Sequence, residues 1–558
     1  MTSSSEPSHT AGPDSGPEQG RDTRIALWLA LTLFFFYLLT TSGHPPYGDE
    51  GEYLNVAQNI LIRGRPIIEQ IQTAADGQVG SVLAYNKLAL GQSFLILPFA
   101  AVELIARPIV PDAFLFIPAL VVNALPAAEC AGIAALVFLL MRLLGGFQPA
   151  LRLTLGTTMA VTLTTALATQ LWPASRTLFA DTSAAFLLLF AVYSLVRFRR
   201  AEAGEGWALS AAWSAALAAL CKNTFALTWP ALAAYGLWAV MRHKKAAPGA
   251  HKNLISLAAM AALPLLLVMV AQFWFNHLRY SSIWLSGYHE GKDGALGFST
   301  PLMVGLYGIF LSSGRSLFLY SSPCLLAFLG ARKFFTAAPA ETALIGGVSL
   351  PLLYTFATWW SWHGGWEWGN RFHLFLIPLL MLLSIPAWRW IDRKLPAAVR
   401  RMRQGLMLSL FAAAIYVQAL GLLIHPAAYW ALTVSELTIL EHPRYQKEVW
   451  EIRDNLLLAH FVPEFSPPTA HRWLIWATWN RNRLGDGALA AGAPWYSLNP
   501  KWAPKNVRPY LGFDLWFVRA WSAAEGAARS GVIIIAALLA VMVSLCSVKL
   551  KSAIDDSP

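Results

Sequence analysis

Apolar stretches of about twenty residues recur along almost the whole chain, each long enough to cross roughly 30 Å of hydrocarbon as a helix. They lie near 24–42, 113–141, 153–172, 178–197, 207–221, 224–241, 253–275, 316–331, 341–358, 372–387, 404–424 and 531–548. The expected fold class is therefore an all-α polytopic membrane protein, a bundle of about 12 (11–14) transmembrane helices. Composition agrees, since 56% of the 558 residues are hydrophobic and only 13% charged, which excludes an ordinary soluble enzyme. The formal net charge of +11 does not point to nucleic acid, because the basic residues come as short clusters between apolar runs.

Those clusters orient the chain. Arg142 to Arg152, Arg197 to Arg200, Arg242 to Lys252, Arg332-Lys333, Arg389 to Arg403 and Lys549-Lys551 fall on alternate loops, which makes that side cytoplasmic. The outer loops then hold Asp49-Glu50, Arg176 to Asp181, Asn276 to Thr300, Trp359 to Arg371 and Pro426 to Arg529. Leu88 to Ala106 and Pro301 to Ser313 are apolar, but counting the first as a crossing would scatter the basic loops over both sides. Both read as interfacial or re-entrant helices.

The resulting division is a disordered cytoplasmic tail at 1–23, a transmembrane module at 24–424 with surface helices in its first outer loop (43–112), an outer soluble domain at 425–530, and a last span with its tail at 531–558. The run from Ile25 to Thr41 is too long for a cleavable signal and reads as a retained span. Cys130, Cys221, Cys324 and Cys546 have neither disulfide nor zinc spacing and are expected to pack. No internal repeat is visible, which weakens a transporter of inverted halves.

Carboxylates are costly near hydrocarbon, so the pair in Gly48-Asp49-Glu50, just past the first apolar run, marks a candidate site. From Glu50 to Arg63 the residues Tyr53, Ala57, Ile60 and Leu61 share a helical face, which predicts a helix along the membrane surface. A structural reading stands beside this one: Asp49 as helix N-cap, with Glu52 completing a capping box.

The string Tyr47-Gly48-Asp49-Glu50-Gly51-Glu52-Tyr53 after a first span resembles the GT-C superfamily of membrane glycosyltransferases, closest to the branch of protein O-mannosyltransferases and lipid A aminoarabinose transferases. Similar too are Leu143 to Arg152, Arg176 to Asp181, Lys222-Asn223, the block Ser312 to Pro323 and the block Trp359 to Phe372. The resemblance covers about 24–424 and implies a GT-C-like bundle in which a hexosyl- or pentosyltransferase moves a sugar from a polyprenyl-phosphate donor to an envelope acceptor. That acceptor would be a polysaccharide, lipid or protein at the outer face of a bacterial inner membrane. On this match Asp49, with Glu50 beside it, is catalytic, Asp49 taking the acceptor's proton.

A leaving lipid phosphate calls for cations on the same face, and the candidates are Lys87, Arg315 and Arg371. Each also has a plain reading: Lys87 reaching the headgroups, Arg315 closing a Gly-Ser turn, Arg371 pairing with Glu367. Tyr53, Trp362, Trp366, Glu367, Asn370 and Asp181 are the candidates for sugar or lipid contact. The tryptophans equally suit an aromatic belt, and Asp181 a helix start. Because the leaving group is a monophosphate, Lys and Arg can stand in for a divalent ion, so no metal or other cofactor is expected. His289, Glu290 and Asp293 lack metal-ligand spacing. The rival functions are a lipid-linked-sugar flippase or transporter and an inactive scaffold relative.

Overall fold

The computed structural model describes residues 17–44, 46–73, 79–110, 116–199, 204–246, 254–287, 297–365, 367–390, 396–429, 459–484 and 512–555. Trp366, His289, Glu290 and Asp293 lie outside them, as do most of the predicted tail at 1–23 and most of the predicted outer domain at 425–530.

The chain is a helical, multi-span membrane protein. In order come α1 (Pro17–Leu39), α2 (Asp49–Arg63), a hairpin of β1 (Ile67–Thr73) and β2 (Val79–Tyr85), α3 (Leu90–Ala106), α4 (Phe116–Phe147), α5 (Leu155–Leu167), α6 (Leu171–Ala174), α7 (Ala180–Phe198), α8 (Gly206–Cys221), α9 (Trp229–Ala246) and α10 (Leu254–Tyr280). After these follow α11 (Leu302–Leu311), α12 (Leu317–Tyr320), α13 (Leu326–Ala337), α14 (Pro339–Thr358), α15 (Leu376–Leu383), α16 (Ile385–Arg389), α17 (Ala397–Leu423), α18 (Pro467–Leu484), α19 (Trp516–Ala523) and α20 (Ala527–Asp555).

Every predicted span falls on helix, yet among the described residues only eight helices are long and apolar enough to cross alone. Runs 153–172 and 207–221 give shorter helices, and 316–331 and 372–387 are broken. Prolines mark the breaks: Pro323 lies in the 3-10 turn between α12 and α13, and Pro386 in the first turn of α16, right after α15. The antiparallel hairpin, with Ile67 opposite Tyr85 and Thr73 opposite Val79, departs from the all-α expectation inside the first long loop. Helices α2, α3 and α11 confirm the predicted amphipathic or apolar segments as helix.

One apolar core runs through the bundle. Ile25, Leu29 and Leu33 of α1 recur every four residues and pack into the same cluster as Phe138 and Met141 of α4 and Leu188 of α7. Buried alanines, Ala184 and Ala191 on α7 with Ala211, Ala215 and Ala218 on α8, let neighbouring helices approach closely, which matters where lipid offers no hydrophobic drive to associate. The bundle thereby acquires two chemically distinct ends. Asp49 after α1, Asp181 in the first turn of α7, Lys222 at the end of α8 and Arg371 after α14 gather at one end. Arg142, Arg152 and Arg197 line the other.

Candidate active site

Gly48 turns the chain into α2 at a φ of 57°, a left-handed conformation that strains any residue with a Cβ. Gly48, not Asp49, is the cap, and no side chain caps this helix, so the capping-box reading fails. Asp49, Glu50 and Glu52 occupy the first turn, where the helix dipole favours negative charge. The released Asp49 carboxylate meets Arg371, whose Nη2 donates to Oδ2 at 2.8 Å. Arg371 Nε stands 3.7 Å from Asp181 Oδ2, and Lys222 Nζ donates to the other oxygen of Asp181. Two carboxylates and two cations thus alternate in one chain of ion pairs that reaches the surface, with 27% of the Asp49 side chain and 16% of that of Arg371 exposed.

Aromatic rings hold the cations in place. The Arg371 guanidinium lies 4.0 Å over Phe179, and Lys222 Nζ lies 4.1 Å over Phe372. Burial alone would raise the Asp49 carboxyl, but Arg371, seconded by Lys87 and Lys222, holds it below its ordinary value. Lys222 moves the other way: burial, only partly offset by Asp181, brings its ammonium down to about 8. Lys87 is exposed on a turn that Arg279 fixes by donating to Asn86 O at 2.8 Å and Leu88 O at 3.1 Å.

Below the surface the polar groups turn inward. Glu50, predicted to share the catalysis, is 4% exposed and accepts from Leu178 N at 2.7 Å. Tyr47 Oη donates to Glu367 at 3.1 Å. Burial, then the nearby Glu367 charge, raises the Glu50 carboxyl well above the usual range. Tyr53 is buried on the inner face of α2 with Val56 and Ala57.

Arg315 corrects the expectation most sharply. It is completely buried: Nη1 donates to the carbonyls of Glu367 and, at 2.6 Å, Gly369, and Nε donates to His460 Nδ1 at 3.3 Å. Its guanidinium is turned to the 359–371 loop and not to solvent, with Nη2 buried without a hydrogen-bond partner. Asn370 is likewise fully buried, donating to Trp362 O at 2.8 Å and accepting from Phe372 N at 2.9 Å. Trp362, 2% exposed, packs on His460 and Phe461 and presents no face to a sugar. Gly369, at a φ of 74°, lets the loop seat against Gln170, whose Nε2 donates to Trp368 O at 2.7 Å; a Cβ there would lie 2.7 Å from the Gln170 amide oxygen.

Two residues that shape the site are not singled out by sequence. Lys222 stands out only as part of a matching string, although a lysine facing Asp181 across a helix end is the available signal. Asp514 gives no signal at all. It is fully buried and gathers Ser42 Oγ at 2.9 Å, His44 Nδ1 at 2.7 Å and the Arg176 guanidinium, tying the described part of the predicted outer domain to the start of the first loop. His44, His425 and Asp514 place donor atoms within 4.8 Å of one another. Arg176 already occupies the cation's place at Asp514, and burial with Arg519 and Arg176 nearby holds His44 down to about 3.

No protein-family model matches this chain, and no curated protein does. Among solved structures, it is similar to ArnT from Cupriavidus metallidurans bound to undecaprenyl phosphate, with 12% identity, a TM-score of 0.45, and coverage of 94% of this chain and 76% of that one. The apo state of the same protein gives 13% identity, a TM-score of 0.42 and the same coverage. Likeness of this size assigns no role to any residue of the site.

Proposed function

We propose that this protein is a GT-C-type glycosyltransferase that moves a sugar from a polyprenyl-phosphate donor to a hydroxyl-bearing envelope acceptor at the outer face of the membrane. The carrying observation is the alternation Asp49, Arg371, Asp181, Lys222 at one end of the bundle. Such a site suits a reaction in which a proton and a phosphate depart in opposite directions.

In this reading the acceptor oxygen attacks the anomeric carbon, the bond from that carbon to the phosphate oxygen breaks, and Asp49 takes the hydroxyl proton. The departing phosphate is held by Arg371 and Lys222, with Lys87 at the rim. The resting site is closed by its own ion pair, which leaves Asp49 a weak base. An arriving phosphate competes for Arg371, loosens that pair and so raises the proton affinity of Asp49 as the substrate binds. Positive charge from these side chains serves where a metal otherwise would, so no metal is required. Asp181 orients Lys222 and Arg371.

Comparing envelope glycans by mass spectrometry, in cells with the protein, without it, and with Asp49→Asn in its place, tests the reading. One sugar should vanish in the second and third cases. Unchanged glycans in the second case would overturn the reading, and restoration by Asp49→Asn would favour transport or scaffolding.

A further inference from the structure

A cleft of about 140 Å³ opens at the far end of the bundle, between the first turn of α1, the last turns of α4 and α7, and the Arg152-Leu153 turn. It lies roughly 25 Å from the Asp49 end, at 1.5 Å per residue along α1. Arg142, Arg152 and Arg197 line it, against a single carboxylate among the described residues, Asp22. Arg142 Nε donates to Asp22 Oδ2 at 2.9 Å, while Oδ1, with Arg21 3.7 Å away, is buried without a hydrogen-bond partner, so Asp22 offsets one of the three arginines. Arg152 makes one long contact, Nε to Gly145 O at 3.5 Å.

Arg197 is built in place. Its guanidinium sits 5.1 Å over Trp207, and both Nη2 and, at 3.0 Å, Nη1 donate to the Gln19 amide oxygen once that amide is turned to satisfy both groups. Nε is buried without a hydrogen-bond partner. Arg199, two residues on, adds nothing to the cleft, because Glu341 and the Phe147 ring already hold it.

Arginines at this end satisfy the charge asymmetry of membrane loops, but for that purpose they need only reach water. Here the exposed Arg152 and the half-buried Arg142 and Arg197 converge on one cavity with, among the described residues, two positive charges in excess, an arrangement that recruits an anion. A second, open cleft of about 990 Å³ shares Arg152 and Leu153 with the first, and its walls mix Lys333 and Arg389 with Ala337 and Trp390.

We infer that the joined clefts form a phosphate-binding site, separate from the Asp49 site and independent of its chemistry. The phosphate sits among Arg142, Arg152 and Arg197. The mixed walls of the second cleft suit the remainder of an anionic phospholipid from that leaflet, while a free phosphate would use the first cleft alone.

The test uses the full chain in nanodiscs of phosphatidylcholine with phosphatidylglycerol, counting retained lipids by native mass spectrometry, alongside thermal unfolding in detergent with inorganic phosphate. Wild type should retain phosphatidylglycerol preferentially, and Arg197→Gln and Arg152→Gln should each weaken retention by about fivefold. Lys333→Gln should weaken it too if the ligand is a lipid. Stabilisation by inorganic phosphate that Arg152→Gln abolishes and Lys333→Gln spares would instead identify a soluble phosphate as the ligand. Arg152 is exposed, so its variant folds even if Arg197→Gln does not. Equal retention of both lipids by wild type, with no response to phosphate, overturns the site.

Discussion

Arg371 and Arg315 serve the same loop in opposite ways. Arg371 ends it, partly open to solvent, and spends its charge on the carboxylates of Asp49 and Asp181. Arg315 comes from another segment, is wholly buried, and points its charge at main-chain carbonyls. An ion pair at the surface can be exchanged for a phosphate; a guanidinium closing a loop from within cannot leave without unfolding it. One arginine is therefore a candidate for chemistry and the other for architecture.

The sharpest separation should come from Asp49→Asn, which keeps the shape of the site but removes the base. Transfer should fall by about a thousandfold with the thermal midpoint lowered only by the loss of one partly solvated ion pair, about 1 kcal/mol, as a stopped assay beside an unfolding curve would show. Arg371→Gln should lower transfer by about a hundredfold, mainly through donor KM, while costing about 1–3 kcal/mol of stability, since Asp49 is partly solvated but Asp181 is buried and keeps only Lys222. Arg315→Met should do the reverse. Leaving two buried carbonyls without a donor costs about 2–5 kcal/mol, visible as lost folded yield, and a folded Arg315→Met with poor donor binding would erase the distinction.

Lys222 carries a smaller and pH-dependent share. Its ammonium is charged below about 8 and neutral above, so donor KM should rise as pH climbs through that value. Lys222→Met should flatten the profile at a KM raised by about tenfold. On the acid side, Arg371 holds Asp49 below its ordinary value in the free enzyme. Sharing Arg371 with a phosphate relaxes that hold, so the acid limb of kcat should lie at higher pH than that of kcat/KM. Chelation with EDTA should change nothing; a loss restored by a divalent ion would transfer to a metal the task of neutralising the phosphate, in place of Arg371 and Lys222.

The helical fold was legible because lipid enforces it: long apolar runs have one satisfactory backbone arrangement, and all twelve predicted runs fall on helix. Less legible was where a run breaks, since Pro323 and Pro386 interrupt helices whose hydropathy is continuous. The hairpin at 67–85 was missed because its neighbours in the same loop are helical. In the site, Asp49, Asp181 and Arg371 could be found because charge beside a span is expensive and stands out. Arg315 could not be sorted from Arg371, since a sequence shows a cation but not whether its head meets water or carbonyls. Asp514 lies 338 positions from its partner Arg176, and nothing local announces such a pair.

For the site to work, a donor phosphate must open the Asp49–Arg371 pair. Binding of unsubstituted polyprenyl phosphate to purified wild type and Asp49→Asn measures this directly, because the amide removes the competitor for the guanidinium. Affinity should be kept or improved by up to about fivefold in the variant even as transfer is lost. Binding weakened by tenfold or more would contradict that mechanism.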